Sequence, residues 1–263
     1  MQKRISFIAV VFALAVLLAG TSSVSAQVQL NHFDVLAPPE SCAVCHSGAG
    51  AEHQAIYDDY ADGSALELTI DSVTSVGDGA GTYNATMTFT IMKDGAAYID
   101  VDGLPTLKQK RFYAVTYDSA TGMFDNSKSF SNPVALGNGQ YSVTATGITY
   151  APESSNGLVY AYIADGILDT EGMTLYGDVS NAGKASGDVA TYGSAANISG
   201  CEKCHGTPYM KHGYRAAAVA GLPDFAACKA CHYDTRNGGH QSWQLLVDDP
   251  ARYAEYHELA KIA

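Results

Sequence analysis

Three pentapeptides of one form, Cys-x-x-Cys-His, hold every cysteine of this chain. They are Cys42-Ala43-Val44-Cys45-His46, Cys201-Glu202-Lys203-Cys204-His205 and Cys228-Lys229-Ala230-Cys231-His232. Two thiols at this spacing can add across the two vinyl groups of one porphyrin, and the adjoining imidazole takes an axial position on its iron. The pattern predicts three covalently bound c-type haems and no spare thiol. The attachment residues are then Cys42, Cys45, Cys201, Cys204, Cys228 and Cys231, with His46, His205 and His232 as proximal iron ligands.

Three other chemistries compete for the same cysteines. Six cysteines in an exported chain could form three disulfides, but that leaves the histidines to chance. With 8 histidines in 263 residues, the odds of one following all three pairs are roughly one in tens of thousands. A four-thiolate zinc ribbon built from Cys201, Cys204, Cys228 and Cys231 leaves Cys42 and Cys45 unexplained. A thioredoxin-like pair expects a single Cys-x-x-Cys in a βαβ setting that the sequence lacks.

Five further histidines remain for three distal iron positions: His32, His53, His212, His240 and His257. Cys-x-x-Cys-His-x6-His occurs twice, ending at His53 and His212, and the third motif continues x7 to His240 after Gly238-Gly239. We assign His53, His212 and His240 as distal ligands, with His32 and His257 as substitutes, because histidine dominates metal ligation. Seven extended residues span roughly 23–25 Å, which reaches across one ring or to a neighbouring one, so the pairing stays open. Met210 is a weaker candidate; Met87, Met92 and Met173 sit on strand patterns and belong to a core.

The elements that must position these groups fall into three segments after a leader. Residues 1–26 have the form of a secretory signal, with Lys3 and Arg4, an apolar run from Phe7 to Gly20, and a small-residue site at Val24-Ser25-Ala26. That run is shorter than the roughly 20 residues a membrane-spanning helix needs, and no cysteine follows it for a lipid anchor. Segment 27–64 carries the first motif and a short helix pattern from Glu52 to Tyr60. Segment 65–196 has neither Cys nor His and alternates β-branched and tyrosine residues between turn signals. Strands are expected at Leu66–Val73, Tyr83–Met92, Arg111–Tyr117, Gln140–Tyr150, Leu158–Ile163 and Met173–Val179. Turns are expected at Asp78-Gly79, Asp94-Gly95, Asn138-Gly139 and Asn156-Gly157. The fold class is therefore mainly β, a Greek-key sandwich or small barrel, flanked by irregular, partly helical haem-binding segments.

Segment 197–263 carries the other two motifs and a terminal helix pattern, with Asp249 as its cap and Pro250 at its first position. The pattern runs to Ala263, which fits either a docked terminal helix or a longer parent chain. Losing Lys3 and Arg4 with the leader leaves 13 basic against 27 acidic residues, a net charge near −14. That sign disfavours nucleic acid and anionic lipid and suits basic proteins or mineral cations. Asp100-Val-Asp102-Gly103 and Asp165-Gly166 resemble fragments of calcium loops, but no complete ligand pattern is present.

The run from Cys201 through Gly206, His212, Gly213 and Arg215, followed by the motif at Cys228 to His232 and then His240, resembles the OmcA/MtrC family of extracellular multihaem cytochromes. The order of β-domain before haem domain is similar too, so the resemblance covers about residues 65–245. It implies His212 as a distal ligand and Arg215 as a partner for a haem propionate. It also implies electron delivery to extracellular metal oxides, soluble shuttles or other cytochromes. Family members carry about ten haems; this chain has three motifs, one ahead of the β-domain.

The leading expectation is an exported trihaem cytochrome that carries electrons in the periplasm or at the outer cell surface. It needs no bond-making residue of the chain's own. A multihaem reductase would need one haem with an open iron position. An assembly or binding module of a larger cytochrome complex, with self-association through the β-domain, is the third class.

Overall fold

Polar and apolar residues alternate from Leu66 to Ile70 and from Tyr83 to Met92, and this period of two builds the first hairpin. The computed structural model describes residues 65–165, 167–170, 173–176, 178–205, 207–211, 214–236 and 248. Strand β1 (Leu66–Gly77) turns through Asp78-Gly79 into β2 (Tyr83–Lys93), and β3 (Ala96–Ala97) folds back on the end of β2. Strands β4 (Gln109–Asp118), β5 (Met123–Gly137) and β6 (Gln140–Ile148) follow as successive hairpins. Strand β7 (Gly157–Ala164) returns beside β4. A small hairpin of β8 (Ile167–Thr170) and β9 (Met173–Tyr176) precedes β10 (Val179–Ser186), which pairs with β7.

All pairings are antiparallel, and the strand path reads β1-β2-β6-β5-β4-β7-β10. Its central part, β6-β5-β4-β7, has Greek-key order: three consecutive hairpin strands with the fourth beside the first. Strand β5 serves both halves. Residues from Met123 to Phe130 pair with β4, and those from Ser131 to Gly137 pair with β6. At the change of partner the register shifts, Asn132 adopts φ 56°, and Pro133 supplies no amide donor.

The two halves curl toward each other until β1 and β10 meet across a seam closed by side chains. Leu68 N–H donates to Ser180 Oγ at 3.0 Å, and Lys184 Nζ donates to Asp71 O at 2.8 Å. Lys93 pairs with Asp165 and, at 3.1 Å, with Asp178. Between the halves lies a core of Leu66, Leu68, Ile70, Met87, Phe89 and Ile91 against Phe112, Val143, Ile148, Val159 and Ile163. Each such buried side chain contributes roughly 1.5–3 kcal/mol.

Turn chemistry agrees with the sequence at Asp94-Gly95 and Asn138-Gly139. Both residues of each pair have positive φ, as a two-residue type I′ hairpin requires. Asp100 and Asp102 fasten the loop before β4: Asp100 accepts from Val101 N–H, from Thr106 N–H and from Thr106 Oγ1 within the loop, and Asp102 accepts from Ala135 N–H of β5. Two strand expectations need correction. Met173–Val179 spans parts of two strands, and the second runs on to Ser186. The long β5 was not anticipated, because its residues Asp125 to Pro133 show no apolar period.

Strand β7 is buried along its whole length. Val159, Ala161 and Ile163 face the shared core, while Leu158, Tyr160, Tyr162 and Ala164 face the opposite way. The C-terminal segment covers that second face. It comprises a 3-10 turn (Gly187–Thr191), α1 (Ile198–His205), the short pair β11 (Met210–Lys211) and β12 (Arg215–Ala216), and α2 (Ala226–Lys229). No helix among the described residues is long and apolar enough to cross a membrane.

Candidate functional site

Helix α1 places the second pentapeptide. Asn197 caps it: its Oδ1 accepts from Ser199 N–H at 2.9 Å, and its carbonyl accepts from Gly200 and Cys201. One turn later the backbone sets Cys201, Cys204 and His205 at i, i+3 and i+4, positions that share one side of a helix. Glu202 accepts from Tyr209 N–H at 3.2 Å and so ties the helix to the following strand.

The third pentapeptide begins in α2 and completes one helical turn beyond it. Cys228 O accepts from Cys231 N–H at 3.1 Å and from His232 N–H at 2.9 Å. The residue before α2, Phe225, sits at φ 63°, a strained conformation for a bulky side chain that costs roughly 1–3 kcal/mol. Its surroundings hold it there. The ring is buried 6.3 Å from that of Tyr209, and its N–H donates to Ala217 O at 2.9 Å.

The two motifs share a floor. Cys201 and Cys228 both pack against one apolar cluster of Ile198, Tyr209, Ala217 and Phe225. None of Cys201, Cys228 and Cys231 is in a disulfide. Among the described residues no group of three or more His, Cys, Asp or Glu is arranged to hold a metal ion.

Tyrosines from β4 and β7 form the wall behind the third motif. Burial, and next the neighbouring Cys231, push the Tyr113 hydroxyl well above its ordinary range. Tyr160 donates to Asn181 Oδ1 at 2.6 Å. It is raised by burial first and then by Cys228 and Cys231. The Cys228 thiol is pushed up to about 12, mainly by burial. Its thiolate therefore has little population at neutral pH.

Arg215 completes this wall. Its guanidinium carbon stands 4.8 Å from the centre of the Tyr162 ring and 4.9 Å from that of Tyr214. Nη2 donates to Tyr162 OH at 2.8 Å and to Tyr214 OH at 3.3 Å. Nε is the one buried side-chain nitrogen or oxygen without a hydrogen-bond partner among the described residues. Next to Cys228 in α2, Lys229 is fully buried, paired with Asp234 at 2.6 Å and with Asp248.

Of the residues singled out from the sequence, the structure brings Cys201, Cys228, Cys231 and His232 into the described C-terminal region, with the backbone of Cys204 and His205 beside them. Cys42, Cys45, His46, His53, His212 and His240 lie outside the described residues, as do His32 and His257. Tyr113, Tyr160, Tyr162, Lys229, Asp234 and Asp248 were not singled out. The signal for the tyrosines was the uninterrupted apolar run of Leu158 to Ala164, which marks a strand covered on both faces. No family model matches the chain, and no curated protein matches it either.

Proposed function

We propose that the chain is an exported trihaem c-type cytochrome that carries electrons between redox partners. The observation that carries this reading is that all six cysteines fall in Cys-x-x-Cys-His pentapeptides. The described residues fit such a group. Thiols Cys228 and Cys231 stand one helical turn apart beside an apolar and tyrosine wall, and the orphaned Nε of Arg215 offers a donor to a carboxylate. Haem bound there supplies one-electron redox chemistry, its potential tuned by axial ligands, hydrogen bonds and burial.

The chain's own residues hold, orient and exclude water. Cys228 and Cys231 would anchor the C-terminal group, His232 would occupy one axial position, and Arg215 would neutralise a propionate. Cys201, Cys204 and His205 would do the same from α1, and Cys42, Cys45 and His46 from the N-terminal segment. His53, His212 and His240 are proposed as distal ligands. The shared floor under Cys201 and Cys228 favours close approach of two of the three groups. By resemblance to OmcA/MtrC cytochromes, the partners are other cytochromes, soluble shuttles or metal oxides in the periplasm or at the cell surface.

The test is to express the full precursor together with a haem-attachment system and count covalent haem by mass and by haem stain after denaturation. Three haems per chain are expected, with low-spin spectra and three reversible one-electron steps. Colour that passes into acidified organic solvent would defeat the proposal. Carbon monoxide binding to the reduced protein would move it toward a reductase.

A further inference from the structure

Lys229 follows the first thiol of its pentapeptide, a position on which attachment itself places no demand. Its side chain is 0% exposed, and it is the one charged residue in the core among those described. Nζ donates to Asp234 Oδ1 at 2.6 Å and to Asp248 Oδ2, and it lies 6.0 Å from the centre of the Phe124 ring. Asp234 is itself fastened to β5. Its Oδ2 accepts from Phe124 N–H at 2.6 Å, and its N–H donates to Phe124 O at 2.8 Å. Ser127 Oγ donates to Ala230 O, and Thr235 Oγ1 to Asp125. Asp248 Oδ1 accepts from Tyr192 OH at 2.9 Å, and the Tyr192 ring meets Phe124 edge-on at 4.9 Å.

Strand β5, the thiol turn and Asp248 thus meet at one ammonium. A buried lysine is expensive in isolation, and an apolar side chain of similar volume would often stabilise as well. Geometry is what the charge adds, because two charge-assisted hydrogen bonds from one ammonium tie the turn that carries both thiols to two separate carboxylates. We propose that Lys229 is the positioning residue of the C-terminal thiol pair, clamping the Cys228–His232 turn to β5 and Asp248 so that thiols and imidazole keep one orientation. This rests on the proposed haem attachment at the same motif. It also predicts an electrostatic signature, because one ammonium and two carboxylates flank the motif.

The test uses the full-length holoprotein with Lys229→Met, Lys229→Arg, Asp248→Asn and, as a control, Lys128→Met on the exposed side of β5. Hydrogen exchange at the Phe124 and Asp234 amides should accelerate about tenfold or more in Lys229→Met and return most of the way in Lys229→Arg. In redox titration, Lys229→Met should lower one of the three midpoint potentials. Asp248→Asn should raise the same one, since losing a cation disfavours the reduced iron and losing an anion favours it. Lys128→Met should move none. Unchanged exchange in Lys229→Met, or shifts of the same sign in Lys229→Met and Asp248→Asn, would overturn the clamp. A purified chain without covalent haem would defeat the proposed function, while amide exchange in that chain would still decide the clamp.

Discussion

Two lysines in this molecule each hold two aspartates, and their settings differ in kind. Lys93 meets Asp165 and Asp178 at the seam between the two halves of the sheet with its side chain 36% exposed, whereas Lys229 meets Asp234 and Asp248 with none exposed. At the seam, water shares the charges, and such a pair is worth about 0–1 kcal/mol. Beneath the thiol turn the ammonium itself is cut off from water, although its carboxylates are 15% and 28% exposed, so removing a partner leaves a stranded cation. The same contrast separates the two halves of the sheet. The half of β1, β2 and β6 buries one face, whereas β7 buries both, the second under tyrosines whose hydroxyls need partners.

The largest effect expected from this contrast is at Asp234. Asp234→Ala should destabilise the protein by about 3–5 kcal/mol, because it strips the buried ammonium and also orphans the Phe124 amide. Chemical denaturation of the purified full-length protein measures it. An effect near zero would mean that water reaches Lys229 and that the two lysines are equivalent.

Next in size is the response to alkali. Burial is the first cause of the raised values of Tyr113, Tyr160, Tyr162 and Tyr192, all on or beside the second face of β4 and β7. A raised folded value means stability that is fully present below the unfolded tyrosine value near 10 and is lost as pH climbs from there toward the folded values. Each group can add a loss of about 1.4 kcal/mol per pH unit in that window. Phenolate absorbance from these four tyrosines should therefore appear together with unfolding, not before it. Gradual titration of these four in the folded state would show the second face to be wet.

The smallest effect belongs to the seam. Asp165→Ala should cost less than about 1 kcal/mol, and added salt should shrink the difference further. Thermal melts in low and high salt decide it, and a loss as large as that of Asp234→Ala would erase the distinction between the two sites.

How much of this was legible in the sequence follows from the same physics. Strands β1, β2, β4, β6 and β7 showed through their period of two or their apolar run, and their observed starts agree with the expected ones within two residues. Strand β5 was hidden because it bends at Asn132 and Pro133 to serve two ladders and exposes much of its length. Strand β10 was hidden by Gly183, which reads as a turn. In the fold a Cβ there would stand 2.3 Å from Leu222 Cδ1, so the glycine makes room for the overlying loop. The three Cys-x-x-Cys-His motifs were plain because each is written in adjacent residues. Lys229, Asp234 and Asp248 were not, since a charged side chain gives no local sign that tertiary packing will enclose it.

The seam between β1 and β10 carries one more consequence. Amides along the outer border of β1 would invite another strand if they pointed at open water. Ser180 Oγ occupies that of Leu68, and a Glu153 carboxylate occupies that of Ser75 at 3.0 Å. Crowded copies of this domain therefore find no ready template for fibril growth at those two positions.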